Sequence, residues 1–132
     1  AGIWTIGYGH TGPEVHEGLE WTQAQADLAF DADLQSFDAF VANKCTVHTS
    51  EAQHAAMVSL AYNIGMGNFA KSSVLRLHNL DKDAEAGQAF ALWNKAGGQV
   101  LRGLTERRTV ERLVCLGLIV EGAGYWHDWR KR

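Results

Sequence analysis

From Thr22 onward, apolar residues recur at helical spacing and polar cap signals stand where the runs begin, which commits most of the chain to packed helices. Thr22 precedes Gln25 at capping-box spacing, and Phe30, Leu34, Phe37 and Val41 follow at i, i+4, i+7 and i+11. Ser50 and Gln53 repeat the signal ahead of a stripe formed by Met57, Leu60, Ala61 and Ile64, with Gly65 and Gly67 as the stop. A short helix is expected from Asn68 through Leu77. Asp81 or Asp83 can cap the next, which has Ala86, Phe90 and Trp93 on one face and ends at Gly97-Gly98. Thr105 opens the last long helix, in which Val110, Leu113, Val114 and Leu118 face inward. Nearly all these periodic positions are core and imply no chemistry.

The first twenty residues follow another rule. Ile3-Trp4-Thr5-Ile6-Gly7-Tyr8-Gly9-His10 mixes β-branched and aromatic residues with alternating glycines and runs into Thr11-Gly12-Pro13. That pattern predicts a short twisted strand and a turn, with Val15 to Glu20 as a returning strand. The expected class is therefore α+β: a small β-hairpin or sheet followed by a mainly helical body. The 132 residues fit a single domain, with a β-rich lobe over 1–20 and a helical lobe over 21–132. A cleft between two such lobes suits an extended ligand.

Composition narrows the class without naming a function. Hydrophobic residues make up 46% and charged residues 20%, the range of a soluble globular protein. No run approaches the ~18 apolar residues that span a bilayer, and the opening residues do not follow a signal peptide's pattern. The chain opens on Ala1 rather than methionine, so the expectation is a sequence trimmed at that end. Cys45 and Cys115 are the only cysteines; they lack metal-ligand spacing, and two buried thiols or one disulfide both stay open. His16, His48, His54, His78 and His127 are scattered without metal spacing and read as surface residues. The net charge of −3 is uneven: residues 1–66 hold eight acids and one lysine, residues 67–132 seven acids and eleven bases. A basic half can attract an anionic polymer, or Arg102, Arg107, Arg108 and Arg112 are simply the wet face of a helix.

Four strings taken in order are more specific. Trp4 through Thr11 resembles the strand-and-turn signature of phage-type lysozymes and endolysins, glycoside hydrolase family 24. Ala61-Tyr62-Asn63-Ile64-Gly65, with Gly67-Asn68-Phe69 and Ser72-Ser73-Val74-Leu75, resembles that family's central helix and following turn. Trp93-Asn94-Lys95-Ala96-Gly97-Gly98 is similar to its next signature. Gly103-Leu104-Thr105-Glu106-Arg107-Arg108, with Glu111 and Leu113, resembles its C-terminal Gly-Leu-x-x-Arg-Arg-x-x-Glu element, although Arg102 stands where a proline commonly precedes.

The resemblance implies a lysozyme-like fold and a reaction. The family cleaves a β-1,4 glycosidic bond with a glutamic acid that protonates the leaving oxygen and a second group that positions water or stabilises charge. Only the threonine of its triad has an address here, Thr5, as a catalytic-site hydroxyl. The aspartate belongs about six residues before Thr5 and the glutamate about fifteen, both ahead of Ala1. The expectation is a piece of a longer lysozyme. A chain that has lost catalysis, or one in which Glu14, Glu17 or Glu20 substitutes, is the alternative. Thr11, Tyr62, Phe69 and Ser72 resemble positions that line the saccharide cleft, where an aromatic face stacks on sugar and a hydroxyl hydrogen-bonds. For Tyr62, Phe69 and Ser72 the competing reading is helix core and cap. His10 reads as structural, and Arg107 and Arg108 as surface or helix-packing charges.

The implied function is a peptidoglycan muramidase that cuts the MurNAc–GlcNAc bond during host lysis and works at the bacterial cell wall, in the periplasm, after release or export. Peptidoglycan glycan strands are the expected partner, with no cofactor, no metal, no nucleic acid and no membrane-spanning segment, and the expected state is a monomer. The aromatic and basic tail with Tyr125, Trp126 and Trp129 reads either as a cell-wall contact or as packing. A lysozyme fold without its acid, holding glycan or acting as a scaffold, is the competing function. Nucleic-acid binding through the basic half ranks last, because no recognised motif supports it.

Overall fold

A computed structural model describes residues 15, 16, 18, 20, 22–96 and 98–117. Helix α1 spans Gln23–Lys44, α2 Glu51–Ile64, α3 Met66–Ala70, α4 Ser73–Asn79, α5 Asp83–Ala89 and α6 Arg102–Cys115. A 3-10 turn, Phe90–Leu92, follows α5, and two short strands, β1 (Lys95–Ala96) and β2 (Gln99–Val100), precede α6.

Both capping boxes form as the spacing predicts. The Thr22 hydroxyl accepts from Gln25 N at 3.2 Å while Thr22 N donates to Gln25 Oε1 at 2.8 Å. Ser50 and Gln53 repeat the exchange at 3.0 and 2.9 Å. Each box satisfies two backbone donors that a helix start leaves without partners. At the far end of α2, Gly65 adopts a φ of 95°, a conformation that a Cβ would strain, and the helix stops there.

Helix α2 is the centre of the packing and contacts α1, α3 and α6. Ala56, Met57, Leu60 and Ala61 on it are buried against Val41, Phe69, Val74, Phe90 and Val114. Complete burial of a side chain such as Leu60 stabilises the fold by about 1.5–3 kcal/mol. The expected apolar stripe is thus real, and it widens until α2 is covered on several sides. The root of α1 is secured from a distance: Asn79 on α4 accepts from Thr46 N at 2.9 Å and donates to Lys44 O at 3.0 Å.

Four local expectations change. The helix expected over 68–77 is split, because the Ser72 side chain caps α4 and ends the preceding turn. Helix α5 is preceded by Lys82 rather than by an aspartate cap, and Asp81 instead takes a positive φ of 60°. Helix α6 begins at Arg102, three residues ahead of Thr105. Gly97-Gly98 does not end a helix. The helical run gives out at Leu92, and Lys95↔Val100 and Ala96↔Gln99 pair as an antiparallel hairpin, with Gly98 at φ 81° between the strands.

The class is α+β, mainly helical with one small antiparallel sheet, and the sheet among the described residues lies at 95–100. The hairpin expected over 1–20 falls mostly outside those residues. Of its returning strand, Val15, His16, Gly18 and Glu20 are described and form no strand.

Candidate functional site

Tyr62 sits in the last turn of α2 and meets α1. Its ring receives edge contacts from Phe30 at 5.5 Å and Phe37 at 5.4 Å between centroids. Burial pushes its phenol up to about 12, and the Asp33 carboxylate adds to the shift. The hydroxyl therefore keeps its proton at neutral pH and works as a hydrogen-bonding group, not as a base.

Phe69 lies on α3, and Ser72 caps α4. The Phe69 ring is fully buried in the core. The Ser72 hydroxyl donates to Phe69 O at 2.7 Å and accepts from Leu75 N at 3.2 Å, which builds the start of α4. Thr5, Thr11, His10, Glu14 and Glu17 lie outside the described residues, as do His127 and the aromatic tail. Glu20 is exposed.

A second constellation was not expected as a site. Arg108 and Glu111, each 1% exposed, lie on the inward face of α6. Glu111 accepts from Arg108 Nη2 at 2.8 Å and from the Ser59 hydroxyl of α2, and Arg108 Nε faces its other oxygen as an ion pair. Arg108 Nη1 donates to Asn63 Oδ1 at 2.8 Å and to Trp93 O at 3.3 Å. One guanidinium thus joins α6, the end of α2 and the segment that enters β1. Burial pushes the Glu111 carboxyl up to about 7, against Arg108 and Ser59, which pull it down. A raised carboxyl is the usual mark of a general acid. Here the group is sealed in the core and committed to Arg108, so it serves structure.

For Arg108 these residues overturn the wet-face reading and bear out the alternative of a helix-packing charge. Arg102 and Arg112 are exposed, whereas Arg108 points into the core. The register carried the signal: Arg108, Glu111 and Val114 follow at i, i+3 and i+6, the inward stripe. Nothing in α6 itself names Ser59 or Asn63, which stand 52 residues before Glu111 and 45 before Arg108.

His78 also departs from the surface reading, being 2% exposed. Its Nε2 lies 2.7 Å from the Thr49 hydroxyl, which donates to Val47 O at 3.1 Å. With its one proton so used, that hydroxyl accepts from Nε2–H, while Nδ1 lies 3.9 Å from the Asp83 carboxylate. Burial lowers the His78 pKa, opposed by the carboxylates of Asp83 and Asp81. Cys45 and Cys115 are free, half-buried thiols packed against the core, and burial raises both, Cys115 to about 11. Thiols held this far from the thiolate form are poor nucleophiles. Among the described residues, no three His, Cys, Asp or Glu side chains are grouped to hold a metal ion, and no helix is long and apolar enough to cross a membrane.

The helical body, with its α2 hub and the hairpin ahead of α6, can be compared with known proteins. A family model for phage lysozyme matches residues 1–111. The chain belongs to the phage lysozyme family. The "SAR-endolysin" of Enterobacteria phage P21 is 35% identical over 115 residues, which cover 87% of this chain and 70% of that protein. The "Endolysin" of Bacillus phage B103 is 37% identical over 113 residues, 86% of this chain. The match spans only 43% of that relative's own length. Among solved structures, the muramidase domain of SpmX from Asticaccaulis excentricus superposes with a TM-score of 0.77 at 36% identity, covering 86% of this chain and 80% of that one. Tyr62, Asn63, Phe69, Ser72, Trp93 and Arg108 all fall within the family match.

Proposed function

We propose that this chain is the lysozyme-like domain of a peptidoglycan muramidase that hydrolyses the MurNAc–GlcNAc β-1,4 bond in host-cell lysis. The family match over residues 1–111 carries the reading, and relatives named endolysins support it. The site of action is the bacterial cell wall, reached in the periplasm after release or export, and the protein acts as a monomer on glycan strands without a cofactor.

The chemistry asks for a protonated carboxyl at the leaving oxygen and a polar group that orients water on the other side of the sugar. Glu111 has a suitable pKa and an unsuitable address, so the donor is an acid other than Glu111. Thr5 is proposed as the catalytic-site hydroxyl that holds the water, and Thr11, Tyr62, Phe69 and Ser72 as glycan contacts. Of the three that are described, Tyr62 is half-buried beside α1. Direct contact by Phe69 or Ser72 requires the α3–α4 turn to part from the core.

The test is clearing of a peptidoglycan suspension by the full-length protein. Wild type is expected to clear it, and Thr5→Ala to slow clearing by a factor of about 10². A folded full-length protein that binds glycan strands without shortening them would replace the enzyme with a binding module.

A further inference from the structure

We propose that the β1–β2 ribbon and its root form a docking surface for an anionic lipid bilayer. Leu92, Val100 and Leu101 enter the headgroup region, and Lys95 and Arg102 meet its phosphates. The proposal stands apart from the muramidase reading, because it is tested on lipid alone.

Five large apolar side chains stand well exposed among the described residues, and three of them, Leu92 (68%), Val100 (58%) and Leu101 (43%), fall between positions 92 and 101. Single exposed leucines are ordinary on a protein surface, whereas a cluster marks a place of contact. Pairing gathers this one: Lys95 lies opposite Val100, and Leu101 N donates to Asn94 O at 3.0 Å, two residues after Leu92. All four strand residues are exposed, so neither face of the ribbon packs on the core. A two-stranded ribbon is barely stable by itself, and this one is tied at its root. Asn94 Nδ2 donates to the Thr105 hydroxyl at 3.4 Å, and that hydroxyl donates to Leu101 O at 3.2 Å. The apolar side chains are thus presented from a fixed frame, which lowers the entropy lost on docking.

Charge decides what the surface fits. From Ala91 through Thr105 the chain carries two cations, Lys95 and Arg102, and no acid, although the whole protein has a net charge of −3. Among the described residues Lys95 has no ion-pair partner, and Arg102, 94% exposed, has Glu106 at 3.0 Å across one turn. An exposed pair of this kind is weak and exchanges readily for another anion. A second copy of the chain, docked by symmetry on the same ribbon, would set these cations against their own images. A glycan strand is polar and gives three aliphatic side chains nothing to bury against. An anionic bilayer answers both features: its acyl boundary takes the aliphatic groups, and its phosphates accept from lysine and arginine.

The test is co-sedimentation of the full-length protein with vesicles of phosphatidylethanolamine and phosphatidylglycerol, against vesicles of phosphatidylcholine alone. Wild type is expected to bind the anionic vesicles about tenfold more tightly, and to lose that preference as salt is raised. Leu92→Ser/Val100→Ser should weaken binding about tenfold and Lys95→Gln about fivefold. Both should keep Tm within a few degrees of wild type, because the sites are exposed. Leu28→Ser, at an equally exposed position on α1, should bind as wild type does. Wild type that stays in the supernatant overturns the proposal, as does equal binding to both kinds of vesicle or an equal loss in Leu28→Ser. If analytical ultracentrifugation finds wild type dimeric and Leu92→Ser/Val100→Ser monomeric, the ribbon belongs to a second copy and the lipid surface is likewise overturned.

Discussion

Two buried polar sites in this protein solve the same problem by opposite means. Between α2 and α6, Arg108 and Glu111 are paired in the core and backed by Ser59 and Asn63. Between the α1–α2 loop and α4, His78 is equally buried and stays neutral, with one hydroxyl as its main partner. The charged site has long reach and a high cost if either partner is lost. The neutral site is cheaper to bury and cheaper to break.

The contrast breaks if removing one charge is mild. Glu111→Ala leaves the guanidinium buried without a counter-charge and is expected to cost about 3–5 kcal/mol in urea unfolding. Replacing both partners, Arg108→Met with Glu111→Leu, should recover most of that loss, because no charge is then left unpaired. Equal losses in the single and double variants would show that packing rather than charge governs the site.

Titration should give the two sites opposite slopes. Glu111 is pushed up to about 7 in the folded protein, so the native state holds its proton more tightly than the unfolded chain. Its contribution to stability is full below its unfolded pKa, near 4.5, and is lost as pH rises through about 7. His78 is lowered from 6.5, so its contribution is present above that pH and is lost as the solution becomes more acidic. Unfolding free energies of wild type, Glu111→Gln and His78→Gln between pH 4.5 and 8 separate the two. The Glu111 difference should fall with rising pH, by at most ~1.4 kcal/mol per unit, and the His78 difference should rise. Slopes of the same sign would show that Arg108 holds Glu111 as a carboxylate against the opposing effect of burial.

The smallest effect sharpens the comparison from the neutral side. Thr49→Val removes the partner of His78 Nε2–H and should cost about 1 kcal/mol at pH 7, read from the urea midpoint. A loss as large as that of Glu111→Ala would mean that His78 carries charge at neutral pH.

What was legible in the sequence was what neighbouring residues decide. The capping boxes at Thr22 and Ser50 and the stripe through Met57 and Leu60 involve partners three or four positions apart, so spacing alone exposes them. The β1–β2 hairpin was hidden because two-residue strands are too short to show alternation, and its glycines look like a helix stop. His78 and Arg108 were hidden for another reason. Burial of a polar side chain is licensed by partners from distant parts of the chain, Thr49 for one and Ser59, Asn63 and Glu111 for the other. The four ordered family strings were legible, and the family match bears them out. Thr5 and Thr11 were legible as motif positions and lie outside the described residues.

The Asn79 side chain gives α1 an unusual kind of ending. A helix normally carries its own stop signal in the residues that follow it. Here the last carbonyl of α1 and the amide two residues on are both answered from α4, thirty-five positions after Lys44 in the case of the carbonyl. The length of the longest helix is therefore a tertiary property. If α4 lifts away, the final turn of α1 loses its terminus at the same moment, so the two segments open as one unit although two helices, α2 and α3, separate them in the chain.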